Sequence, residues 1–110
     1  MSAVVYAVVI EVAPEAEARW APWHAQVHMP EVLAQPGFRG GRRWRDVERA
    51  RDGWARYVAH YDADGIESLE AYRRSEAGAR IKADHEARYG SVTRISRSVL
   101  TDGVETRPLR

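Results

Sequence analysis

Residues Ala3–Val12 read AVVYAVVIEV, and the fold is decided in this stretch. It is rich in Val and Ile and contains neither Gly nor Pro, which is typical of a β-strand. An antiparallel strand with one face in water alternates apolar and polar residues, whereas this segment is apolar at both alternating positions. We therefore predict a first strand whose two faces are both covered.

Beyond this strand, the chain shows a helical region, two further strands, two helical segments and a last strand. Pro14 ends the first strand and suits the first turn of a helix, and Pro36-Gly37 stops the helical region. Gly40 and Gly41 weaken the second strand and indicate a bulge or a close backbone approach. The predicted strands are Phe38–Val47, Trp54–Tyr61 and Ser91–Leu100, and the later helices are Ile66–Arg74 and Glu76–Tyr89, the second capped by Gly90.

Two prolines disturb the helix that begins at Pro14. Pro22 is expected to kink it or to mark its true start, and Pro30 is expected to break it again before a short turn at Val32–Leu33. At 100° per residue, His24 lies on the shoulder of an apolar stripe and His28 lies further round. The stripe is formed by Ala16, Trp20, Trp23 and Val27.

The order β-α-β-β-α-β is that of the ferredoxin-like α+β fold. Right-handed crossovers place both helices on one face of a four-stranded antiparallel sheet and leave the other face bare. The first strand is apolar on that face too, so we expect a second copy of the chain to cover it, with the two sheets pairing into a dimeric α/β barrel. The alternative is that the last strand and the tail Thr101–Arg110 partly fold over this face.

Length and composition exclude several classes of protein. The chain has 110 residues and no cysteine, so we expect a single domain (1–110) without disulfides, Cys-ligated zinc, iron–sulfur clusters or thiol catalysis. The formal net charge of +1 favours neither nucleic acid nor a membrane as a partner. The apolar run Ala3–Ile10 is too short to span a bilayer and the first basic residue is Arg19, so we expect no signal peptide and a cytoplasmic location.

The stretch Trp20–Arg45 reads WAPWHAQVHMPEVLAQPGFRGGRRWR. It resembles the signature of the EthD-like branch of the dimeric α/β-barrel superfamily, in which W-[HY]-x-x-x-H-x-P precedes P-G-F or P-G-V and an Arg-rich strand. RYVAHY at Arg56–Tyr61 resembles the third strand of that family and SLEAYRR at Ser68–Arg74 its short second helix, so the resemblance spans most of the chain. Pro22 and His60 depart from the pattern. The matching positions are Trp23, His28, Pro30, Pro36, Gly37, Phe38 and Arg43.

The resemblance implies a homodimer with a cleft between sheet and helices in each protomer. Relatives of this kind include cofactor-independent monooxygenases, polyketide and aromatic cyclases, muconolactone-type isomerases and haem-binding enzymes. The fold does not choose among these activities. Three hypotheses therefore stay open: a cofactor-independent enzyme acting on an aromatic or polyketide-like small molecule, a non-catalytic ligand-binding or accessory protein, and a haem-binding member.

Four polar side chains are the candidates for chemistry. His24 and His28 are four residues apart, so both can face one cavity, and a neutral imidazole accepts a proton near pH 7. Tyr61, favoured by the resemblance, is expected to donate a hydrogen bond to a developing oxyanion, and Arg43 to hold a carboxylate or enolate. The alternative for either histidine is capping or packing at the helix end beside Pro30.

Aromatic side chains supply the candidate binding surface. Trp20, Trp23 and Trp44 are predicted to line a pocket for a flat aromatic ligand, with His60 beside them. Trp20 and Trp23 equally suit plain packing of helix on sheet, and a lone histidine on an apolar strand face is more often a core residue. His85, on the apolar stripe of the last helix, is expected to be structural.

We expect neither a metal nor a nucleotide cofactor. His24, His28 and Glu31 offer a ligand set compatible with zinc or iron, but the zincin motif H-E-x-x-H is absent, and Pro30 disturbs the helix that would align the carboxylate. Gly37–Gly41 (GFRGG) is neither a phosphate-binding loop nor a dinucleotide fingerprint.

Overall fold

The computed structural model describes residues 3–109 and has the predicted ferredoxin-like α+β architecture. The strands are β1 (Val4–Val12), β2 (Phe38–Arg45), β3 (Ala55–Ala63) and β4 (Thr93–Leu100). The helices are α1 (Pro14–Trp23), a π-helical segment (His24–His28), α2 (Met29–Leu33), α3 (Ile66–Arg74), α4 (Glu76–Tyr89) and a 3-10 turn (Gly90–Val92). Both later helices have the predicted bounds. None of the helices within residues 3–109 is long and apolar enough to span a membrane.

The four strands form one antiparallel sheet in the order β2-β3-β1-β4. Strand β1 lies inside the sheet, where Tyr6 pairs with Tyr61 of β3 and Ile10 pairs with Ile95 of β4. Because cross-strand partners point to the same face, these four side chains share the face that the helices cover. Residues 101–109 are irregular and exposed, so this part of the tail does not cover the opposite face.

The hydrophobic core lies between the sheet and the helices. Alternate residues of β3 are buried there: Ala55, Tyr57, Ala59, Tyr61 and Ala63. The helices contribute Trp20, Leu69 and Ile81, each at most 3% exposed. We call the other side of the sheet the open face; it carries Val5, Ala7 and Val9 of β1, all half-buried.

A π-helical segment joins α1 to α2 without a break in helical direction. Pro22 lies inside α1, which begins at Pro14, so Pro22 does not mark the start of the helix. In the π segment the N–H of Met29 donates to the carbonyl of His24, five residues earlier. The prediction that Pro30 breaks the helix is wrong, because the shifted hydrogen-bond register accommodates a residue without an N–H at the first turn of α2.

Strand β2 carries the predicted irregularity. Its register with β3 shifts between Phe38 and Gly40, as a bulge requires. A side chain at Gly41 would place its Cβ 3.0 Å from the carbonyl oxygen of His60, so the glycine permits a close backbone approach. Both predicted reasons for these glycines therefore apply.

Element ends differ from the predicted ones by one or two residues. Strand β2 stops at Arg45 rather than Val47 because Asp46 accepts a hydrogen bond from the N–H of Glu48 at 2.9 Å, which starts a turn. Strand β4 begins at Thr93 because the preceding residues Gly90–Val92 form the 3-10 turn.

Helix α4 begins at an N-cap serine, and its first turn depends on it. The Ser75 hydroxyl accepts from the N–H of Gly78 at 2.9 Å and donates to the Tyr72 carbonyl at 2.7 Å. We expect Ser75→Ala to lower the free energy of unfolding by about 1 kcal/mol, because the helix loses this cap. Chemical denaturation measures the loss. Ser91→Ala, at an exposed position of the 3-10 turn, is the control, and an equal loss there would contradict the capping role.

Candidate functional site

A cavity of about 290 Å³ lies between the helix-covered face of the sheet and the helices. This is the cleft that the family resemblance implied. Its floor is formed by side chains of three strands, and its walls come from the π segment, α2, α3 and α4. The residues that matter most for its chemistry are Tyr6, His24, His28, Tyr61, Tyr72 and His85.

Three imidazoles meet in this cavity. The rings of His24 and His28 are stacked, with centroids 5.1 Å apart and planes at 19°, because the π segment places them on the same side. His85 comes from α4, and its ring lies 5.2 Å from that of His28 and 6.3 Å from that of His24. His24 and His85 are buried, at 2% and 4% exposure, whereas His28 is half-buried.

Arg43 fixes the tautomer of His24. Its Nη1 lies 3.1 Å from Nδ1 of His24 and donates to the carbonyl of Ala21 at 2.9 Å. A guanidinium only donates, so Nδ1 of His24 is the acceptor and the proton resides on Nε2. The guanidinium also lies over the rings of Trp20 and Tyr57, at 5.4 and 4.8 Å from their centroids, which holds it in place.

Trp20 fixes the tautomer of His85 in the same way. The indole Nε1 donates to Nε2 of His85 at 3.0 Å, between two buried side chains 65 residues apart. An indole N–H has no acceptor capacity, so His85 carries its proton on Nδ1. Two of the three imidazoles therefore have one lone pair taken by a protein donor and keep an N–H as their remaining polar group.

His28 differs from the other two histidines. Its Nδ1 is buried and has no hydrogen-bond partner among the described residues. No donor among residues 3–109 engages either ring nitrogen of His28, so a bound ligand can select which nitrogen carries the proton. Trp23 packs against it with ring centroids 5.6 Å apart, and the ring of Trp23 lies 5.7 Å from that of His85. Of the three imidazoles, His28 is the one free to accept a proton.

Burial keeps all three imidazoles neutral at physiological pH. Desolvation, followed by the neighbouring His28, Arg43 and His85, lowers the pKa of His24 from 6.5 to about 2. Desolvation and then His85 lower the pKa of His28 to about 4, against an opposing contribution from Asp84. Desolvation also lowers the pKa of His85.

Two tyrosines, Tyr61 and Tyr72, add neutral polar groups to the lining. Burial, with smaller contributions from Tyr72 and Tyr6, raises the pKa of Tyr61 well above its ordinary value of 10. Burial also raises the pKa of Tyr72 to about 12. Both phenols therefore stay protonated and are available as O–H donors.

The remaining predicted site residues lie outside the cavity lining. Trp20 is fully buried behind His85, Trp23 packs on the outer side of the imidazoles, and Arg43 contacts His24 rather than the cavity. Trp44 and His60 point to the open face and contact each other there, with ring centroids 4.9 Å apart. The structure thus brings together His24, His28 and Tyr61, and separates Trp44 and His60 from them.

His85 is the lining residue that sequence reasoning assigned to the structural core. The signal was present, because His85 follows Ile81 by one helical turn and Ile81 faces the cavity. Three cationic side chains at the rim were also not among the predicted site residues: Arg73, Lys82 and Arg97. Arg97 shares its side of β4 with Ile95, so strand alternation indicates its direction.

The histidines do not form a metal site as they stand. Among residues 3–109, no group of three or more His, Cys, Asp or Glu side chains is arranged to hold a metal ion. Glu31, the carboxylate closest in sequence to the histidine pair, is exposed on α2.

Burying neutral imidazoles makes the fold sensitive to acid. Each imidazole whose folded pKa lies below 6.5 takes up a proton on unfolding, so its contribution to stability is present above pH 6.5 and is lost toward its folded pKa. We expect the free energy of unfolding to fall below pH 6.5 by about 1.4 kcal/mol per pH unit for each such imidazole.

Denaturant titrations at about pH 7, 6 and 5 measure this slope. Glu17, whose pKa is lowered to about 2 chiefly by its hydrogen bond with Arg45, contributes only below its ordinary value of 4.5, outside this window. His28→Gln removes one of the imidazoles that take up a proton on unfolding, so it is expected to reduce the slope by about 1.4 kcal/mol per pH unit. A stability that stays constant from pH 7 to pH 5 would contradict the neutral burial of the three rings.

A protein-family model covers most of the chain. A family model described as "Domain of unknown function (DUF4286)" matches residues 3–102. No curated protein is significantly similar in sequence to the chain.

Several solved structures share the fold at low sequence identity. An EthD family protein from Bacillus halodurans is 19% identical with a TM-score of 0.68, covering 94% of this chain and 99% of that one. Rv0793 from Mycobacterium tuberculosis is 18% identical with a TM-score of 0.68, over 96% and 100% of the two chains. SnoaB from Streptomyces nogalater, described as a cofactor-independent oxygenase, is 17% identical with a TM-score of 0.66, over 99% and 100%. The resemblance to the EthD-like branch is confirmed at the level of the fold.

Proposed function

The chain belongs to the DUF4286 family, and from this premise we propose that it is a cofactor-independent enzyme that removes a proton from a small aromatic molecule held in the cavity. The observation that carries the proposal is the set of three neutral imidazoles, two with a lone pair engaged by Arg43 or Trp20 and one free. SnoaB, which has the same fold, is described as a cofactor-independent oxygenase, and this supports an enzyme that works without a cofactor.

Each cavity side chain suits one role in proton removal. His28 acts as the general base, because no protein donor competes for its lone pair. The N–H groups of His24 and His85 and the hydroxyl of Tyr61 are neutral donors around the same space, and they stabilise the oxyanion that forms as the proton leaves. Arg43 is a positioning residue that acts through His24, in place of the direct oxyanion contact expected from the sequence.

The cavity volume limits the size of the substrate. At about 290 Å³ it lies at the lower end of the range for small-molecule sites, roughly 300–1,000 Å³. This volume favours a ligand of one or two rings over a multi-ring polyketide, and it disfavours the haem-binding hypothesis, since a porphyrin needs a larger site. The aromatic side chains of Tyr6, Tyr61 and Tyr72 suit a flat ring.

Oxygenation, cyclisation and isomerisation all begin with loss of a proton, so that step is tested first. A suitable probe is 2-tetralone, whose C1 protons are benzylic and adjacent to the carbonyl. In D2O we expect the protein to accelerate exchange of these protons, followed by NMR. His28→Gln is expected to lower the accelerated rate by about 100-fold or more, the usual contribution of a general base.

Val27→Gln is the matched control, since Val27 neighbours His28 in the π segment and is 41% exposed. It is expected to keep the wild-type exchange rate. A folded His28→Gln variant with an unchanged rate would exclude His28 as the base. If the wild-type protein binds 2-tetralone without accelerating exchange, the non-catalytic binding hypothesis replaces the enzyme.

We also propose that the protein is a homodimer through the open face. That face carries Val5, Ala7, Val9 and Val58, with Trp44 beside them at 42% exposure. In a monomer these side chains would leave a contiguous apolar patch in water, which is rare in soluble monomers of this size. A second copy of the same sheet satisfies closed two-fold symmetry and covers both patches at once.

Sedimentation analysis tests the dimer. We expect the wild-type protein to have twice the 12.5 kDa mass of the chain, and Val9→Arg to shift it toward the monomer because a cation is then buried between the sheets. Val47→Arg, in a loop where the side chain is 93% exposed, serves as the control and is expected to stay dimeric. A wild-type mass of 12.5 kDa would exclude the dimer.

A further inference from the structure

The rim of the cavity is cationic. Arg73 at the end of α3, Lys82 in α4 and Arg97 in β4 all line it, and the side chains converge from three separate elements. Of the described residues that line the cavity, Glu86 alone carries a carboxylate. With the imidazoles and phenols neutral, this rim is the charged part of the site.

These cations lack strong partners within the described chain. Among residues 3–109 neither Lys82 nor Arg97 forms an ion pair, whereas Arg73 makes a 3.7 Å contact with Glu70 and lies over the ring of Tyr6, 5.8 Å from its centroid. Glu86 is turned along its own helix, because its Oε1 lies 2.5 Å from where a Cβ on Gly90 would be.

Several arginines elsewhere on the surface have carboxylate partners. Arg45 and Arg49 both pair with Glu17, and Arg94 forms two short hydrogen bonds to Asp52 at 2.8 and 3.1 Å. Lys82 and Arg97 at the cavity rim have no such carboxylate partner among residues 3–109. Cations left free around a concave apolar site attract an anionic ligand group.

We propose that the substrate is an anionic aromatic compound of one or two rings, whose carboxylate or phosphate lies at the rim between Arg73, Lys82 and Arg97. This inference rests on the proposed function, because it names the substrate class of the same cavity. The ring would lie against Tyr6, Tyr61 and Ile81, which leaves its acidic C–H or O–H toward His28.

The electrostatics of the interior agree with this placement. Arg97 contributes to the lowered pKa of His28 and of His85, and it opposes the effect of burial on the pKa of Tyr72. Its charge is therefore felt by groups from the π segment, α3 and α4 alike. An anion bound beside Arg97 would be within the same electrostatic reach of the reacting group.

Matched naphthalene probes test the inference by calorimetric titration. The anion is 1-hydroxy-2-naphthoate, and its neutral isostere is 1-hydroxy-2-naphthamide. We expect the folded protein to bind the carboxylate about tenfold more tightly than the amide, as several partly exposed charge pairs together would give. A third probe, 1-naphthyl phosphate, tells a carboxylate site from a phosphate site, and tighter binding of either anion than of the amide supports the proposal.

The double variant Lys82→Gln/Arg97→Gln is expected to reduce the preference for the anion to less than about threefold while amide binding stays unchanged. The control is Arg74→Gln/Arg80→Gln, which removes the same total charge from exposed positions of α3 and α4 outside the lining. It is expected to keep the full preference. Equal affinity of the wild-type protein for carboxylate and amide, or a preference that survives in the rim variant, would overturn the inference.

Failure of this inference is distinguishable from failure of the proposed function. In His28→Gln the anion preference is expected to persist, because the rim is intact even though proton exchange is lost. If none of the three naphthalene probes binds the folded protein, the inferred substrate class is wrong. The exchange of 2-tetralone protons then decides separately whether His28 removes protons.

Discussion

The hydrogen bond from the Trp20 indole to His85 is the contact on which the rest of the site depends. Trp20 is fully buried, and an indole N–H without a partner in such a place would cost about 1–3 kcal/mol. Helix α4 must therefore present an acceptor to α1, and His85 does so at 3.0 Å. The indole ring of Trp20 also stacks on the ring of His24, with centroids 4.3 Å apart. One buried tryptophan thus joins two helices and orients two of the three imidazoles.

The fold was largely predictable because it follows from local patterns. The two-sided apolar stretch at β1 and the alternation along β3 depend only on side-chain parity, and Gly90 marked the end of the last helix. The π segment was not predictable, since hydrophobic periodicity does not report which carbonyl an N–H selects. Pro22 and Pro30 indicated a disturbance, but its form depends on a register shift at Met29 that only the folded backbone shows.

Sequence spacing predicted only those site members that are close in sequence, whereas Tyr61 was favoured by the family resemblance. His24 and His28 are one turn apart, so spacing alone places them together. His85 and Arg43 reach them from α4 and β2, contacts that no local pattern encodes. Strand alternation also excludes His60 from the cavity that Tyr61 lines. The two residues are adjacent on β3, so their side chains point to opposite faces of the sheet.

The low pKa of His28 connects the proposed base electrostatically with the cationic rim. An imidazole with a pKa of about 4 is neutral at pH 7 but accepts a proton reluctantly, because burial and nearby positive charge both disfavour imidazolium. Burial is the largest cause of this lowering and Arg97 a smaller one, so an anion bound beside Arg97 would raise the pKa of His28 by relieving only that smaller, electrostatic contribution. On the proposed function, the base is therefore weak in the empty cavity and becomes stronger when an anionic substrate is bound. A neutral ligand of the same shape would occupy the cavity without this gain, so the charge of the substrate would contribute to catalysis as well as to binding.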